Sequence, residues 1–223
     1  MTKKLFLQAI TKIMIGLILF GLLLFVPAGT IHYPNGWLMI VILFVPMFVA
    51  GIVMMFNNPD LLKKRLNAKE EEKEQKTVVA LSGIMFVAAF IVAGLNYRFK
   101  WMILPKWAVI IGVVVFLLAY IMYAEVLREN TFLSRTIEVQ DNQKVIDTGL
   151  YGIVRHPMYS ATLFLFISMG IVLGSLFSFV ILLSYIPIIS KRMRNEEKVL
   201  EEGLEGYKEY KSKVKYKVIP FVW

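Results

Sequence analysis

Unbroken apolar runs of about 20 residues recur along this chain, the length a helix needs to cross a hydrocarbon core of about 30 Å. They cover Leu5–Val26, Trp37–Phe56, Val78–Leu95 and Trp107–Leu127, and a longer run extends from Tyr159 to Ser190. A soluble fold of 223 residues has no use for such runs. The 58% hydrophobic content and mean hydropathy of +0.66 agree. The expected fold is an all-α polytopic membrane protein.

The last run would make a straight helix about 45 Å long, too long for the bilayer without strong tilt. Leu173-Gly174-Ser175 interrupts it, which predicts a helical hairpin over 159–190 with two slightly short arms. About six spans result. The apolar stretch after the N-terminal MTKK imitates a signal peptide, yet it is long and ends in the poor cleavage site Pro27-Ala28-Gly29, so it reads as a retained first span. Lys12 would snorkel toward the side of Lys3 and Lys4. Trp37, Trp101 and Trp107 fall at span ends, where interfacial aromatics belong.

Charge sets the orientation. With both termini cytoplasmic, inside segments hold the Lys/Arg residues of loop 57–77, of 128–155 and of the tail from Lys191, while outside loops hold only Arg98, Lys100 and Lys106. The +9 net charge is therefore read as contact with anionic lipid and not with nucleic acid. In a bacterial source the location would be the cell membrane. The KEEEKEQK tract reads as a solvated charge run. The chain divides into four N-terminal spans (1–127) and a C-terminal region (128–223) comprising a cytoplasmic segment, the hairpin and a tail that starts helical, with Leu200, Leu204 and Tyr207 on one face.

With no cysteine and two histidines, His32 and His156, thiolate chemistry is excluded and no metal site is expected. A tight hairpin brings GLYGIVRHPMY (149–159) against KRMRNEEKVL (191–200), placing Tyr151, Arg155, His156, Tyr159, Arg192, Glu196 and Glu197 at one membrane–water boundary. Taken singly, each has a plain structural reading. Arg155 and His156 can be interfacial anchors, Pro157 a first-turn proline, and Arg192 with Glu196 an i,i+4 salt bridge. Charged groups converging at a membrane surface are costly unless paired or functional.

Together these residues resemble the isoprenylcysteine carboxyl methyltransferase family and its phospholipid-methyltransferase relatives. The likeness rests on GLYGIVRHPMY, then RMRNEEKVL across the hairpin, then YKEYKSKVKYKVIP, and it spans roughly Gln140–Pro220. NNPDLLKKRL is also similar to an Asn-Pro-acid-Leu-Leu segment of bacterial members. Two departures stand out: Gln143 occupies a position often held by His, and Leu204 with its neighbours replaces the usual Phe-Gly before Tyr-x-x-Tyr.

The resemblance implies methyl transfer from S-adenosyl-L-methionine at the cytoplasmic face, onto a lipid-like or prenylated acceptor embedded in membrane lipid. By position, the cofactor pocket would contain Gln140, Gln143, Lys144, Val145 and Ile146, then Tyr151, His156, Pro157, Met158 and Tyr159, with Glu196 holding the cofactor. Arg192 and Arg155 would meet the substrate, and Arg192 and Glu197 would act in catalysis. A carboxylate acceptor needs no base, whereas an amine acceptor must lose a proton, for which Glu197 is the candidate. Other readings stay open: a phospholipid amine methyltransferase, a sterol-reductase-like enzyme using NADPH, or a non-enzymatic membrane scaffold. The sequence is silent on oligomeric state.

Overall fold

A computed structural model describes residues 3–66, 73–134 and 136–223. Its elements are α1 (Lys3–Ala28), α2 (Pro34–Asn57), α3 (Pro59–Leu66), α4 (Lys73–Phe99), α5 (Lys106–Glu129), a 3₁₀ turn (Gly149–Gly152), α6 (Pro157–Val172), α7 (Leu176–Leu183), α8 (Tyr185–Gly203) and α9 (Tyr207–Lys213). The first part of the KEEEKEQK tract and Arg135 lie outside the described residues, while Lys73–Lys76 already belong to α4.

Among the described residues, five stretches are long and apolar enough to span a bilayer: Leu5–Ala28, Pro34–Asn57, Gln75–Phe99, Lys106–Glu129 and Leu176–Gly203. Their outward faces carry large apolar side chains such as Leu7, Ile18, Val53, Ile84, Ile110 and Ile121, as contact with lipid tails requires. The chain is a multi-pass helical membrane protein.

The hairpin forms at the expected place, and its arms differ from the expectation. Gly174 adopts φ +70, a left-handed conformation that lets the chain reverse, and Ser175 caps α7 by accepting from the Ser178 amide. The first arm, α6, has only 16 residues, about 24 Å at 1.5 Å each, and falls short of a full crossing. It is buried on almost every side, packed along α5 and α7. A helix that is apolar all round belongs inside a bundle. The second arm does not stop at Ser190. It runs to Gly203, broken only at Ser184, because Pro187 has no N–H to give Leu183 and its ring crowds that carbonyl.

The outer end is latched. Tyr33 donates its hydroxyl to the Leu173 carbonyl at 2.6 Å, and the Leu104 amide donates to the Gly174 carbonyl at 3.0 Å. The hairpin tip is thereby fixed to α2 and to the α4–α5 loop, which sets the depth of everything at its base.

At the other end, the expected partly helical loop yields α3. Asn58 caps it through its side chain, Pro59 occupies its first turn with Asp60, and Lys63, Lys64 and Arg65 close it, all favourable to the helix dipole. Leu62 packs on Ala9 and Met55, and Lys12 donates to the Leu66 carbonyl, so Lys12 does point toward the side of this loop. The tail departs from a continuous helix. α8 ends at Gly203, Gly206 turns the chain at φ +81, and α9 begins at Tyr207. Leu200, Leu204 and Tyr207 still meet, now across a turn, in an apolar cluster with Tyr210, Val214, Val139 and Val145.

Candidate active site

The Arg155-His156-Pro157 segment enters α6 with its backbone tied to the tail. The Arg155 amide donates to the Tyr216 carbonyl at 2.9 Å, the His156 amide to Lys217 at 2.8 Å, and the Ser160 hydroxyl to Val218 at 2.6 Å. The tail, from Val214 to Val218, therefore lies along the start of α6 and closes one side of the site.

Glu197 fastens this arrangement. It is buried, and its Oε1 accepts from Arg155 Nε at 2.9 Å and contacts His156 Nε2 at 3.2 Å. Its Oε2 lies 3.3 Å from Lys211 Nζ and 3.2 Å from Lys217 Nζ. Arg155 is equally committed: its Nη1 donates to the Val214 and Lys215 carbonyls at 2.7 and 2.8 Å. One carboxylate thus joins α8, the start of α6, α9 and the tail.

Consecutive residues on a helix point about 100° apart, so Glu196 faces elsewhere. It accepts a hydrogen bond from the Tyr159 hydroxyl, and the same phenol oxygen accepts from Arg192 Nε at 3.1 Å. Arg192 and Glu196 are thereby bridged through Tyr159. The His156 and Tyr159 rings stack 5.5 Å apart.

Around Tyr159 and Glu196 opens a cleft of about 830 Å³, counting its open mouth. Its wall contains Gln143, Lys144, Val145, Ile146, Tyr151, His156, Pro157, Met158, Tyr159 and Glu196, which is every expected cofactor contact except Gln140. Arg155 also touches it.

The loop walls are built as carefully as the helical one. Glu129, at the end of α5, accepts from the Thr148 hydroxyl at 2.7 Å and the Leu150 amide at 3.3 Å, anchoring the Gly149–Gly152 turn. Tyr151 in that turn receives Asn130 Nδ2 on its hydroxyl at 2.9 Å, and its carbonyl accepts the Tyr210 hydroxyl at 2.8 Å. Burial raises the pKa of the Tyr151, Tyr207 and Tyr210 phenols, so the aromatic wall is neutral at physiological pH. Gln143 spends its Oε1 on the Gln140 amide at 2.9 Å, closing the turn through Asn142.

Four expected positions lie elsewhere than anticipated. Gln140 stands behind the wall as a strut, accepting from Lys64 Nζ at 2.6 Å and donating to the Phe132 carbonyl. Glu197 faces the tail, where both its oxygens are occupied by cationic and imidazole groups, so it is badly placed to take a proton. Arg155 is consumed in holding the tail, which leaves it unsuited to grip a substrate. Arg192 lies beyond Tyr159 from the cleft wall, toward Tyr185.

Residues outside the expected set complete the site. Asn130, Leu204, Tyr207 and Tyr210 join the wall. Arg65 of α3 reaches across from the N-terminal half. It donates to the Ser134 carbonyl at 3.2 Å and to the Tyr123 hydroxyl, and its Nη1 lies 3.9 Å from Met158 Sδ. The NNPDLLKKRL likeness was the signal that pointed to this helix.

Residues 106–205 match the model of the phospholipid methyltransferase family. Among solved structures, the chain is similar to a eukaryotic intramembrane Ras methyltransferase, isoprenylcysteine carboxyl methyltransferase, with TM-score 0.59 and 17% identity, over 92% of this chain and 74% of that one. No curated protein matches significantly. The structural likeness shows a shared fold. Together the two findings support a membrane methyltransferase of the phospholipid and isoprenylcysteine carboxyl methyltransferase type.

Proposed function

We propose that this chain transfers a methyl group from S-adenosyl-L-methionine to an ionised, lipid-borne acceptor, with a prenylcysteine-like carboxylate as the leading class. The observation that carries the reading is the cleft itself. It sits at the base of the hairpin and combines carboxylates and neutral aromatic rings in one wall.

These residues fit the cofactor. Glu196 offers a carboxylate to a cationic or hydroxyl-bearing ligand, and the rings of Tyr151 and Tyr159 can hold a cation over their faces. When bound, S-adenosyl-L-methionine supplies a methyl group on a sulfonium, poised for in-line displacement. The chain's own task is alignment, which in well-oriented reactions contributes on the order of 7–11 kcal/mol. Tyr159 does this by fixing Glu196 and Arg192 through a single oxygen. Arg192, held by that phenol through its Nε, would engage an acceptor carboxylate.

The acceptor class follows from the base. Glu197 is locked in ion pairs, and Glu196 is assigned to the cofactor, so neither of these two glutamates is well placed to deprotonate a substrate. A carboxylate is already ionised at neutral pH. The match to the phospholipid methyltransferase family favours an amine lipid as the second reading.

The same proposal puts the termini and the cleft on the cytoplasmic side, and the Lys/Arg excess of residues 128–155 and of the tail from Lys191 supports it. The test uses the protein in lipid nanodiscs with methyl-labelled S-adenosyl-L-methionine and membrane extract. Product that releases labelled methanol in mild alkali marks a methyl ester. Alkali-stable label on an amine lipid would establish the second reading. Calorimetry showing NADPH binding without S-adenosylhomocysteine binding would overturn both.

A further inference from the structure

Tyr207 is 96% buried (4% relative exposure), lies in the cleft wall, and its hydroxyl has no hydrogen-bond partner. Its neighbours in the same wall are satisfied: Tyr151 receives Asn130, Tyr210 donates to the Tyr151 carbonyl, and Tyr159 donates to Glu196. A buried polar group left unpaired is destabilising, and native proteins rarely keep one without reason. A phenylalanine would pack equally well here if packing were the only demand. The ring belongs to the apolar cluster of Leu204, Tyr210, Val214, Val139 and Val145, while its hydroxyl lies within the electrostatic reach of Glu196 and Glu197. Tyr207 therefore stands at the boundary between the apolar end of the cleft and its carboxylate end.

We propose that the Tyr207 hydroxyl is a ligand contact that completes its hydrogen bonding on the ribose diol of the S-adenosyl ligand, opposite Glu196. The inference rests on the cofactor assignment above and adds the orientation of the nucleoside. A purine needs flat, apolar surroundings, which the Leu204–Tyr210 end provides. A charged amino-acid and sulfonium group needs the Glu196–Tyr159 end. The sugar joins the two, and its vicinal hydroxyls meet Glu196 and Tyr207 there. Glu196 Oε2 is taken by Tyr159, which leaves Oε1 to accept from one hydroxyl. The Tyr207 hydroxyl is free to pair with the other. Burial raises the phenol's pKa, so it stays protonated and available as a donor.

The test is a binding cycle on the full chain in nanodiscs. It compares wild type with Tyr207→Phe, and S-adenosylhomocysteine with its 2′-deoxy and 3′-deoxy analogues. Tyr207→Phe is expected to weaken S-adenosylhomocysteine about tenfold at unchanged thermal stability. Removing the contacted hydroxyl should weaken wild type by a similar factor and leave Tyr207→Phe indifferent. Equal affinity of the two proteins for S-adenosylhomocysteine would overturn the contact. A tenfold loss in Tyr207→Phe that persists undiminished with both deoxy analogues would overturn the ribose assignment. Failure of wild type itself to bind S-adenosylhomocysteine is a separate outcome, and it removes the cofactor reading on which the proposal stands.

Discussion

Truncating Glu197 to alanine should release the tail and leave the membrane bundle intact. The Glu197 and Arg155 side chains are 5% and 6% exposed, and the substitution leaves the guanidinium buried with two carbonyls and no counter-charge. Removing one partner of a buried ion pair costs about 3–5 kcal/mol. The Lys211 and Lys217 side chains are 37% and 27% exposed, so each of those pairs adds at most about 1 kcal/mol. The loss falls on the tail, because Glu197 joins α9 and residues 214–218 to α8 and the start of α6. At about 1.4 kcal/mol per decade, amide exchange across residues 207–218 should accelerate by roughly two to more than three orders of magnitude. Hydrogen–deuterium exchange on the protein in nanodiscs reads this directly, with α2, α4 and α5 as internal controls. Binding of S-adenosylhomocysteine should weaken in parallel, since Leu204, Tyr207 and Tyr210 leave the cleft wall together. The reasoning is refuted if tail exchange and cofactor affinity are unchanged while turnover falls and its residual pH profile shifts. Glu197 would then be a base.

Glu196→Ala should lower affinity for S-adenosylhomocysteine, whereas Arg192→Ala should depress turnover while sparing that affinity, with partial rescue by Arg192→Lys; calorimetry beside initial rates separates the two. Arg65→Ala removes the contacts to Tyr123 and Ser134, so cofactor affinity should fall about 3–10-fold in calorimetry although the residue lies outside the cleft wall, and an unchanged Kd would sever α3 from the site. Because burial raises the Tyr151, Tyr207 and Tyr210 pKa values, these phenols lose their protons only above the ordinary value of about 10. Titration calorimetry should therefore find no phenol-linked loss of cofactor affinity up to pH 10. Cysteines placed at Asp141 and Ser212 should resist an impermeant thiol reagent in intact cells while one at His32 reacts; labelling at 212 from outside would invert the orientation.

Periodicity and charge made the membrane class legible, because a bilayer imposes a minimum length on every spanning helix and tolerates few charges inside it. The hairpin break at Gly174 was legible for the same reason: one run was too long to cross straight. Its arms were not, since the apolar signal at 157–172 is the same whether a helix spans lipid or is buried by α5 and α7. The motifs around Tyr151, His156–Tyr159 and Glu196 pointed to one cleft because the hairpin forces its two ends together. What separated Glu196 from Glu197 was tertiary structure alone. Adjacent glutamates carry the same chemistry in sequence, and only the docking of the tail against α6 turns one toward Arg155, Lys211 and Lys217 while the other stays with Tyr159 in the cleft. The same docking took Arg155 out of the substrate role and brought Tyr207 into the wall. Folding back of α3 added Arg65 from the opposite half of the chain. Contacts of this kind depend on where distant segments meet, and local pattern does not encode that meeting.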